Sequence, residues 1–312
     1  MKTTSPHAVF TIVSMALMLS ACAPVDDVIG NDEKIQIGLK PNTGGTSYEP
    51  PSGRNGLRPS EFWSQVAQTA YRDIQYRPLS IGQSGGVDIL NAPVGSPLHN
   101  LIITYPKAAI DLIECALTEN QTVHDNETGL DIKGWWGIAP DWMTSPIAGL
   151  RDKQEWLTGC MLARLNYFGI EVPILLEGDT APIQTDPLWN VLMPFDESTL
   201  YGNMFDSQDP IAADTPAFAA YICRENQLAS TCKSDDGKAY MDKRICDDVP
   251  SLCGLIDLGL CDPAAPGSLR SCKQGRTPEH WDCMTVSGSG RYETRTVGVQ
   301  LERQLNQNDC AF

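Results

Sequence analysis

The sequence predicts an α+β fold, with helices packed with short strands in the N-terminal part and a disulfide-stapled, loop-rich and β C-terminal part. Two helical patterns, at 106–117 and 153–168, each contain one cysteine, and the second leads into the apolar strand IEVPILLEG. Most of the other cysteines fall near the C-terminus. With 312 residues and a 42% apolar composition, the chain is long and apolar enough to bury a substantial core.

The first 22 residues have the pattern of an export signal. Lys2 is followed by an apolar run at 8–19, and the run ends in Leu19-Ser20-Ala21-Cys22. This tetrad resembles the lipobox of bacterial lipoproteins, which implies cleavage of 1–21 as a signal peptide and lipidation of Cys22. The alternative is an ordinary secretory signal that happens to contain a cysteine. We expect a lipid-anchored protein of the cell envelope, in the outer membrane, on its periplasmic face or at the cell surface.

Residues 22–57 are rich in Pro, Gly, Asn and Asp, which predicts a flexible tether with a reach of roughly 30 Å. An α+β domain is expected at 58–215. It begins with an amphipathic helix at 60–73, which Ser60 would cap. Residues 78–94 are rich in turn-forming residues and predict irregular structure.

The central segment predicts several further elements. Pro106 opens a helix over 106–117. Two short strands are expected around the Asn-Glu-Thr-Gly turn at 126–129. The Asp152 and Glu155 pair marks the start of a third helix, which Gly169 would end. Arg164 and Asn166 lie beside its buried stripe, where capping of neighbouring backbone groups is the favoured role.

Two later segments complete the predicted fold. Residues 180–214 are rich in Pro and Asp, with aromatic anchors. The cysteine-rich region at 216–312 is expected to pack on the first domain. Its last part, 291–302, alternates as a long strand of a hairpin or a sheet edge.

Cysteine usage indicates disulfides. Apart from Cys22, the chain has ten cysteines, an even number in a chain with an export signal. Pairing of Cys115 with Cys160 would join two helices. The other eight allow 105 connectivities, and they are Cys223, Cys232, Cys246, Cys253, Cys261, Cys272, Cys283 and Cys310. Zinc is disfavoured because the C-x-x-C spacing is absent and the region has one histidine. We therefore expect no cofactor and no metal.

The formal charge of −16 argues against a nucleic-acid partner, because phosphate binding needs clustered Lys and Arg. The same charge disfavours binding to anionic lipid through a basic face. The expected partners are the membrane, through the lipid anchor, and an envelope polysaccharide or protein.

One candidate catalytic motif is G-x-S-x-G at 82–86, which would make Ser84 a nucleophile if a strand preceded it and a helix followed. His280 is a candidate base, and Asp282 is a candidate third member. Since prolines interrupt the residues after the motif, a glycine-rich turn is the favoured interpretation.

Two candidate binding features remain. Asp196, Glu197, Asp206 and Asp209 supply oxygen ligands suited to Ca²⁺, although a solvated loop is favoured. Trp135, Trp136 and Trp142 lie in a turn-rich segment where a ring could stack on sugar or peptide, although core packing is favoured. Because Trp135 and Trp136 are adjacent, they should point in different directions.

Three segments carry a family resemblance: ECAL, then GWWGIAPDW, then EWLTGCMLARLNYFG with its following strand. Together they resemble uncharacterised, Cys-rich bacterial lipoproteins of myxobacterial type over residues 55–310. That resemblance implies location and architecture but no activity and no site residues. We expect a non-enzymatic binding or surface-interaction module; the alternatives are an envelope serine hydrolase using Ser84 and a structural envelope component.

Overall fold

The structure is a computed structural model, and it describes residues 53–77, 80–84, 87–167, 169, 173–184, 195–206, 218–224, 254–264, 272–275, 281–284, 292–293 and 295–301. The predicted signal peptide, Cys22 and most of the predicted tether lie outside the described residues. All of the described residues belong to one compact unit. None of the helices in the described part of the chain is long and apolar enough to cross a membrane.

The structure confirms the α+β class. The helices are α1 (Pro59–Phe62), α2 (Gln65–Ile74), α3 (Pro97–Thr104), α4 (Pro106–Ala116) and α5 (Arg151–Ala163). Short 3-10 helices span Pro140–Met143 and Ala181–Ile183. The strands are β1 (Gly53–Arg54), β2 (Ser80–Ser84), β3 (Val87–Ala92), β4 (Gln121–Asp125), β5 (Asp131–Lys133), β6 (Pro173–Glu177), β7 (Phe195–Gly202), β8 (Ala220–Arg224), β9 (Leu255–Leu260), β10 (Cys272–Gln274), β11 (Trp281–Met284), β12 (Tyr292–Glu293) and β13 (Val297–Leu301).

The largest sheet has six strands in the order β1-β6-β13-β7-β8-β9. Its pairs are antiparallel except for the parallel pair of β8 and β9. The predicted boundary after residue 215 falls between β7 and β8, which pair with each other. The folded part also begins within the predicted tether, because β1 pairs with β6 and Leu57 is fully buried.

A four-stranded sheet has the order β2-β3-β4-β5. The β3–β4 pair is parallel, and α3 and α4 form the crossover between these strands, as parallel pairing requires. β10, β11 and β12 form a three-stranded antiparallel sheet. The three sheets thus contain all thirteen strands named above.

Helix α5 packs against β7 and β13 at very short range. A Cβ atom placed on Gly159 would lie 2.5 Å from Cγ2 of Val297 and 3.3 Å from the Leu200 carbonyl oxygen. Ten consecutive residues of this helix, 154–163, are buried, so α5 is a central core element rather than a half-exposed one. The Cys115–Cys160 disulfide joins α4 to α5. On the chain-entropy relation, closing this loop of 45 residues stabilises the fold by about 4 kcal/mol.

Several predicted elements are confirmed, and others need correction. α4, the β4–β5 hairpin and β6 occur where they were expected. The predicted helix at 60–73 is instead two helices, because the Ser64 hydroxyl caps α2 by accepting from the Ala67 N–H. α5 ends at Ala163, well before Gly169. Residues 78–94, predicted to be irregular, contain the β2–β3 hairpin.

The C-terminal strand also differs from its prediction. In place of one long strand over 291–302, the structure has the separate strands β12 and β13. β13 lies inside the six-stranded sheet, between β6 and β7, and not at an edge.

Candidate binding site at the tryptophan turn

Residues 134–142, here called the tryptophan turn, form the cap of helix α4. The last carbonyl groups of a helix have no hydrogen-bond partner within the helix. At the end of α4, the N–H groups of the tryptophan turn are their partners. The N–H groups of Trp135 and Trp136 donate to the Glu114 carbonyl at 3.1 and 2.9 Å. Ile138 and Ala139 donate to the next two carbonyls, those of Cys115 and Ala116, at 3.1 and 2.8 Å. The backbone of the turn is therefore fixed to a disulfide-linked helix.

The two glycines of the turn are required by this close approach. A Cβ atom on Gly134 would lie 2.4 Å from the Leu117 carbonyl carbon and from the Thr118 carbonyl oxygen. Gly137 has a φ of 69°, and a Cβ atom there would lie 2.6 Å from Cγ2 of Thr118. The G-W-W-G sequence therefore follows from how the chain crosses the end of α4.

The three tryptophans have different environments. The Trp135 side chain is 38% exposed, whereas Trp136 is 6% exposed and Trp142 is fully buried. Trp142 packs edge-on against Phe205, with ring centroids 6.4 Å apart. Trp135 and Trp136 thus face opposite ways, as their adjacency predicted, and of the three only Trp135 presents a substantial surface to solvent.

Beneath Trp136 lies the buried cation Arg164. Its guanidinium carbon is 4.6 Å from the centre of the Trp136 ring, a distance at which a cation is attracted to the ring face. The same guanidinium contacts the carboxylates of Asp111 and Glu114. Sequence reasoning expected Arg164 to cap backbone groups; in the structure its side chain pairs with carboxylates. The one signal in the sequence that could have predicted this pairing is the i, i+3 spacing of Asp111 and Glu114, which places both carboxylates on the same face of α4.

The charges of this cluster influence one another. Burial raises the pKa of the Asp111 carboxyl, although the adjacent Arg164 and Lys107 act in the opposite direction. Burial alone would lower the pKa of Arg164, but the Asp111 and Glu114 carboxylates raise it. Arg164 therefore stays cationic. Its guanidinium contacts both the Trp136 ring and the carboxylates of α4, and so stabilises the packing of Trp136 on this helix.

A second polar cluster connects α3 to β4. Nδ1 of His99 lies 2.7 Å from Oδ1 of the buried Asp125, and its Nε2 lies 2.9 Å from Oε2 of the exposed Glu127. Oδ2 of Asp125 accepts hydrogen bonds from the hydroxyl and the N–H of Thr128. Both ring nitrogens of His99 are thus next to carboxylates, an arrangement that fixes the end of β4.

The predicted catalytic residues do not form a site in the described residues. Ser84 is the last residue of β2 and pairs with Val87 of β3. A nucleophile elbow would need a helix after the serine, and here a strand follows. Asp282 lies in β11, with Oδ2 3.8 Å from Nζ of Lys273. His280 lies outside the described residues.

The predicted Ca²⁺ ligands are separated by the length of a strand. Asp196 lies at the start of β7 and Asp206 beyond its end, and about seven residues of extended chain span roughly 20 Å. Glu197 is buried within β7, and Asp209 lies outside the described residues. Asp196 and Asp206 therefore cannot share one ion.

Among the described residues there are two further disulfides, Cys223–Cys261 and Cys272–Cys283. They lie side by side in a second apolar cluster with Tyr201, Tyr221 and Leu258. Cys232, Cys246, Cys253 and Cys310 lie outside the described residues. In the described part of the chain, one group has the spacing of metal ligands, namely Cys223, Cys272 and Cys283.

No protein-family model matches the chain, and searches of the curated proteins and of the solved structures find no match. The resemblance to Cys-rich bacterial lipoproteins therefore stays a prediction, and the functional argument depends on the site geometry.

Proposed function

We propose that the protein is a non-enzymatic binding module, held at the cell envelope by a lipid on Cys22, and that Trp135 is its main contact residue. The observation that supports this proposal is the exposure of Trp135 on a backbone that is fixed in place. A large aromatic ring that stays partly in water loses apolar burial, and an exposed aromatic on a rigid support is typical of binding surfaces.

Rigidity matters because binding orders the groups that make contact. A ring on a mobile loop loses conformational entropy when it binds, whereas a ring on a preorganised backbone loses little. Trp135 has such a backbone, since its own N–H and that of Trp136 donate to the Glu114 carbonyl. The paired Arg164 and the Cys115–Cys160 disulfide hold the supporting helix.

The ligand chemistry that suits this site is an apolar face with polar groups at its edge. The C–H face of a sugar has this character, and it would stack on the Trp135 ring. Glu114, whose carbonyl group anchors the Trp135 backbone, has a carboxylate that pairs with Arg164 and is 32% exposed, so it could still accept a hydrogen bond from a ligand hydroxyl. With a net charge of −16 the protein disfavours polyanions, so a neutral envelope polysaccharide is the expected class of ligand.

The test is cross-linking of the tagged protein on intact cells, followed by mass spectrometry and glycan analysis of the captured material. The wild type should capture a polysaccharide reproducibly, and Trp135→Ala should lose most of that capture. Tyr76→Ala is the matched control, because Tyr76 is an exposed aromatic (64%) in the turn after α2. Its capture should equal that of the wild type.

Two results would reject the proposal. One is capture of the same material by wild type and Trp135→Ala; the other is capture of lipid and bulk envelope alone. Capture of a defined protein through Trp135 would keep the binding role and replace the sugar with a protein. The alternatives of a hydrolase using Ser84 and of a structural component stay predictions, and no contact in the described residues favours them.

A further inference from the structure

The two C-terminal disulfides are packed against each other. Cys223–Cys261 connects β8 to the residue after β9, and Cys272–Cys283 connects β10 to β11. Sγ of Cys223 lies 3.5 Å from Sγ of Cys272 and 3.7 Å from Sγ of Cys283. The Sγ atoms of Cys223, Cys272 and Cys283 thus all lie within 4.8 Å of one another, and the fourth sulfur, that of Cys261, is bonded to Cys223.

We propose that these four cysteines, when reduced, form a tetrahedral site for Zn²⁺. Zinc binds thiolates at about 2.3 Å, so neighbouring sulfurs of a tetrahedral four-thiolate site lie roughly 3.8 Å apart. The two distances from Cys223 to the sulfurs of the Cys272–Cys283 disulfide already have this value within a few tenths of an ångström. Reduction would separate Cys272 from Cys283 to the same spacing, and it would release Cys261 from Cys223 so that its side chain could rotate into the fourth position.

The surroundings favour a site of this kind. All four cysteines are buried, and the stacked rings of Tyr201 and Tyr221 pack around them, with centroids 4.8 Å apart. Such a shell keeps water and competing ligands away from a bound metal. The missing C-x-x-C spacing, which argued against zinc in the sequence, does not apply here, because sheet pairing and not sequence proximity brings the ligands together.

The two forms are related by a balanced exchange. Each disulfide takes two electrons and two protons from one dithiol reductant, which gives two protein thiols and the oxidised form of the reductant. The four protein thiols then bind one Zn²⁺ and release four protons, so that four thiolates surround the ion. The four-cysteine cluster would thus hold β8, β10 and β11 together in both oxidised and reduced surroundings.

The first experiment is a metal titration of the full-length chain carrying Cys22→Ser, reduced with a phosphine and kept free of oxygen. Co²⁺ should bind at one equivalent with the absorption of a tetrahedral thiolate site, and one equivalent of Zn²⁺ should abolish that absorption. The double variant Cys223→Ser/Cys272→Ser should lose it. The double variant Cys115→Ser/Cys160→Ser, which removes the same number of thiols, should keep it.

A residue-resolved measurement on the unsubstituted cysteines guards against variants that fail to fold. The reduced protein is alkylated with and without one equivalent of Zn²⁺, and modification is read by peptide mass spectrometry. Zinc should protect Cys223, Cys261, Cys272 and Cys283 and leave alkylation of Cys115 and Cys160 unchanged. Protection spread evenly over all the cysteines, octahedral Co²⁺ absorption, or equal loss in both double variants would overturn the proposal.

Discussion

Asp125 is a fully buried carboxylate, and its partners determine how it responds to acid. Burial alone would raise its pKa, but the hydrogen bonds from Thr128 and then from His99 lower the pKa below the usual value. A carboxyl group whose pKa is lower in the folded state than in the unfolded state stabilises the fold above its unfolded pKa. That contribution disappears as the pH falls through the lower, folded pKa.

We therefore expect Asp125→Asn to lower the free energy of unfolding by about 1.5–3 kcal/mol at neutral pH, because charge-assisted hydrogen bonds are lost. The difference from the wild type should begin to shrink below about pH 4, where the carboxyl is protonated in the unfolded chain, and it should disappear as the pH falls through the lower pKa of the folded state. Urea denaturation at pH 7 and pH 3 measures both values. Asp131→Asn is the control: its exposed partner His124 lies 2.7 Å away, and such pairs contribute about 1 kcal/mol or less. An equal loss in both variants would contradict the assignment.

The second prediction at this scale concerns Arg164. Arg164→Met keeps an apolar stem under Trp136 but leaves Asp111 buried without its main cation, which should cost about 3–5 kcal/mol of unfolding free energy. Adding Asp111→Asn removes the isolated charge and should recover part of that loss. Chemical denaturation of the two variants and the wild type supplies the comparison. If the double variant is no more stable than Arg164→Met, the charge pair is not what stabilises this site.

Among the elements, the contact between α5 and the sheet is the one most sensitive to added volume. Gly159→Ala would place a methyl group 2.5 Å from Cγ2 of Val297, and overpacking of this kind costs about 1–3 kcal/mol. Val297→Ala removes that carbon atom. The double variant should therefore lose less stability than the sum of the single variants, by about 0.5–3 kcal/mol.

Thermal or urea unfolding of the four proteins measures this coupling. Gly95→Ala is the control for additivity: at a φ of 75° the alanine introduces backbone strain of its own, but its Cβ meets nothing within 4 Å and so does not contact Val297. Combined with Val297→Ala, it should give an additive loss. Additivity in the Gly159 pair as well would mean that α5 can move away from the sheet, contrary to the close packing described above.

Local patterns predicted the elements whose signals are local. α4 begins at a proline and has an apolar face, and β4 and β5 flank a short turn. Residues 60–73 were predicted as a single helix because the apolar face continues from α1 into α2. The actual start of α2 is determined by Ser64, whose hydroxyl caps the helix. β3 was missed because its sequence, VDILNA, does not alternate strictly between apolar and polar residues, and Gly86 and Pro93 flank it.

Contacts between distant parts of the chain were out of reach of sequence reasoning. β13 pairs with β6 and β7, and β6 precedes β13 in the chain by more than a hundred residues. Its alternating pattern predicted a strand but carried no information about position in a sheet. For the same reason, the disulfides within the cysteine-rich region depend on sheet topology and not on spacing. The sequence predicted that one of the adjacent Trp135 and Trp136 rings is exposed but not which one. The choice depends on Arg164, a residue distant in sequence that packs against the Trp136 ring.

At the scale of the whole molecule, the sheets join the two predicted parts of the chain. β13 lies between β6 and β7, and β8 continues the same sheet on the other side of the predicted boundary at 215. A binding surface near the tryptophan turn would therefore move together with the cysteine-rich strands. The feature of the proposed binding module that these sheets do not determine is its attachment to the membrane.

That attachment gives the last prediction. If Cys22 carries the lipid, the wild type should incorporate a metabolic acyl label and sediment with membranes, because two or more acyl chains anchor a protein stably. Cys22→Ser should lose the label and appear in the soluble fraction. Ala23→Ser, which changes the next residue and keeps the thiol, should behave as the wild type does. A soluble but still folded Cys22→Ser protein should also lose polysaccharide cross-links on cells and retain binding to the purified polysaccharide. Membrane association of Cys22→Ser equal to that of the wild type would exclude this anchor.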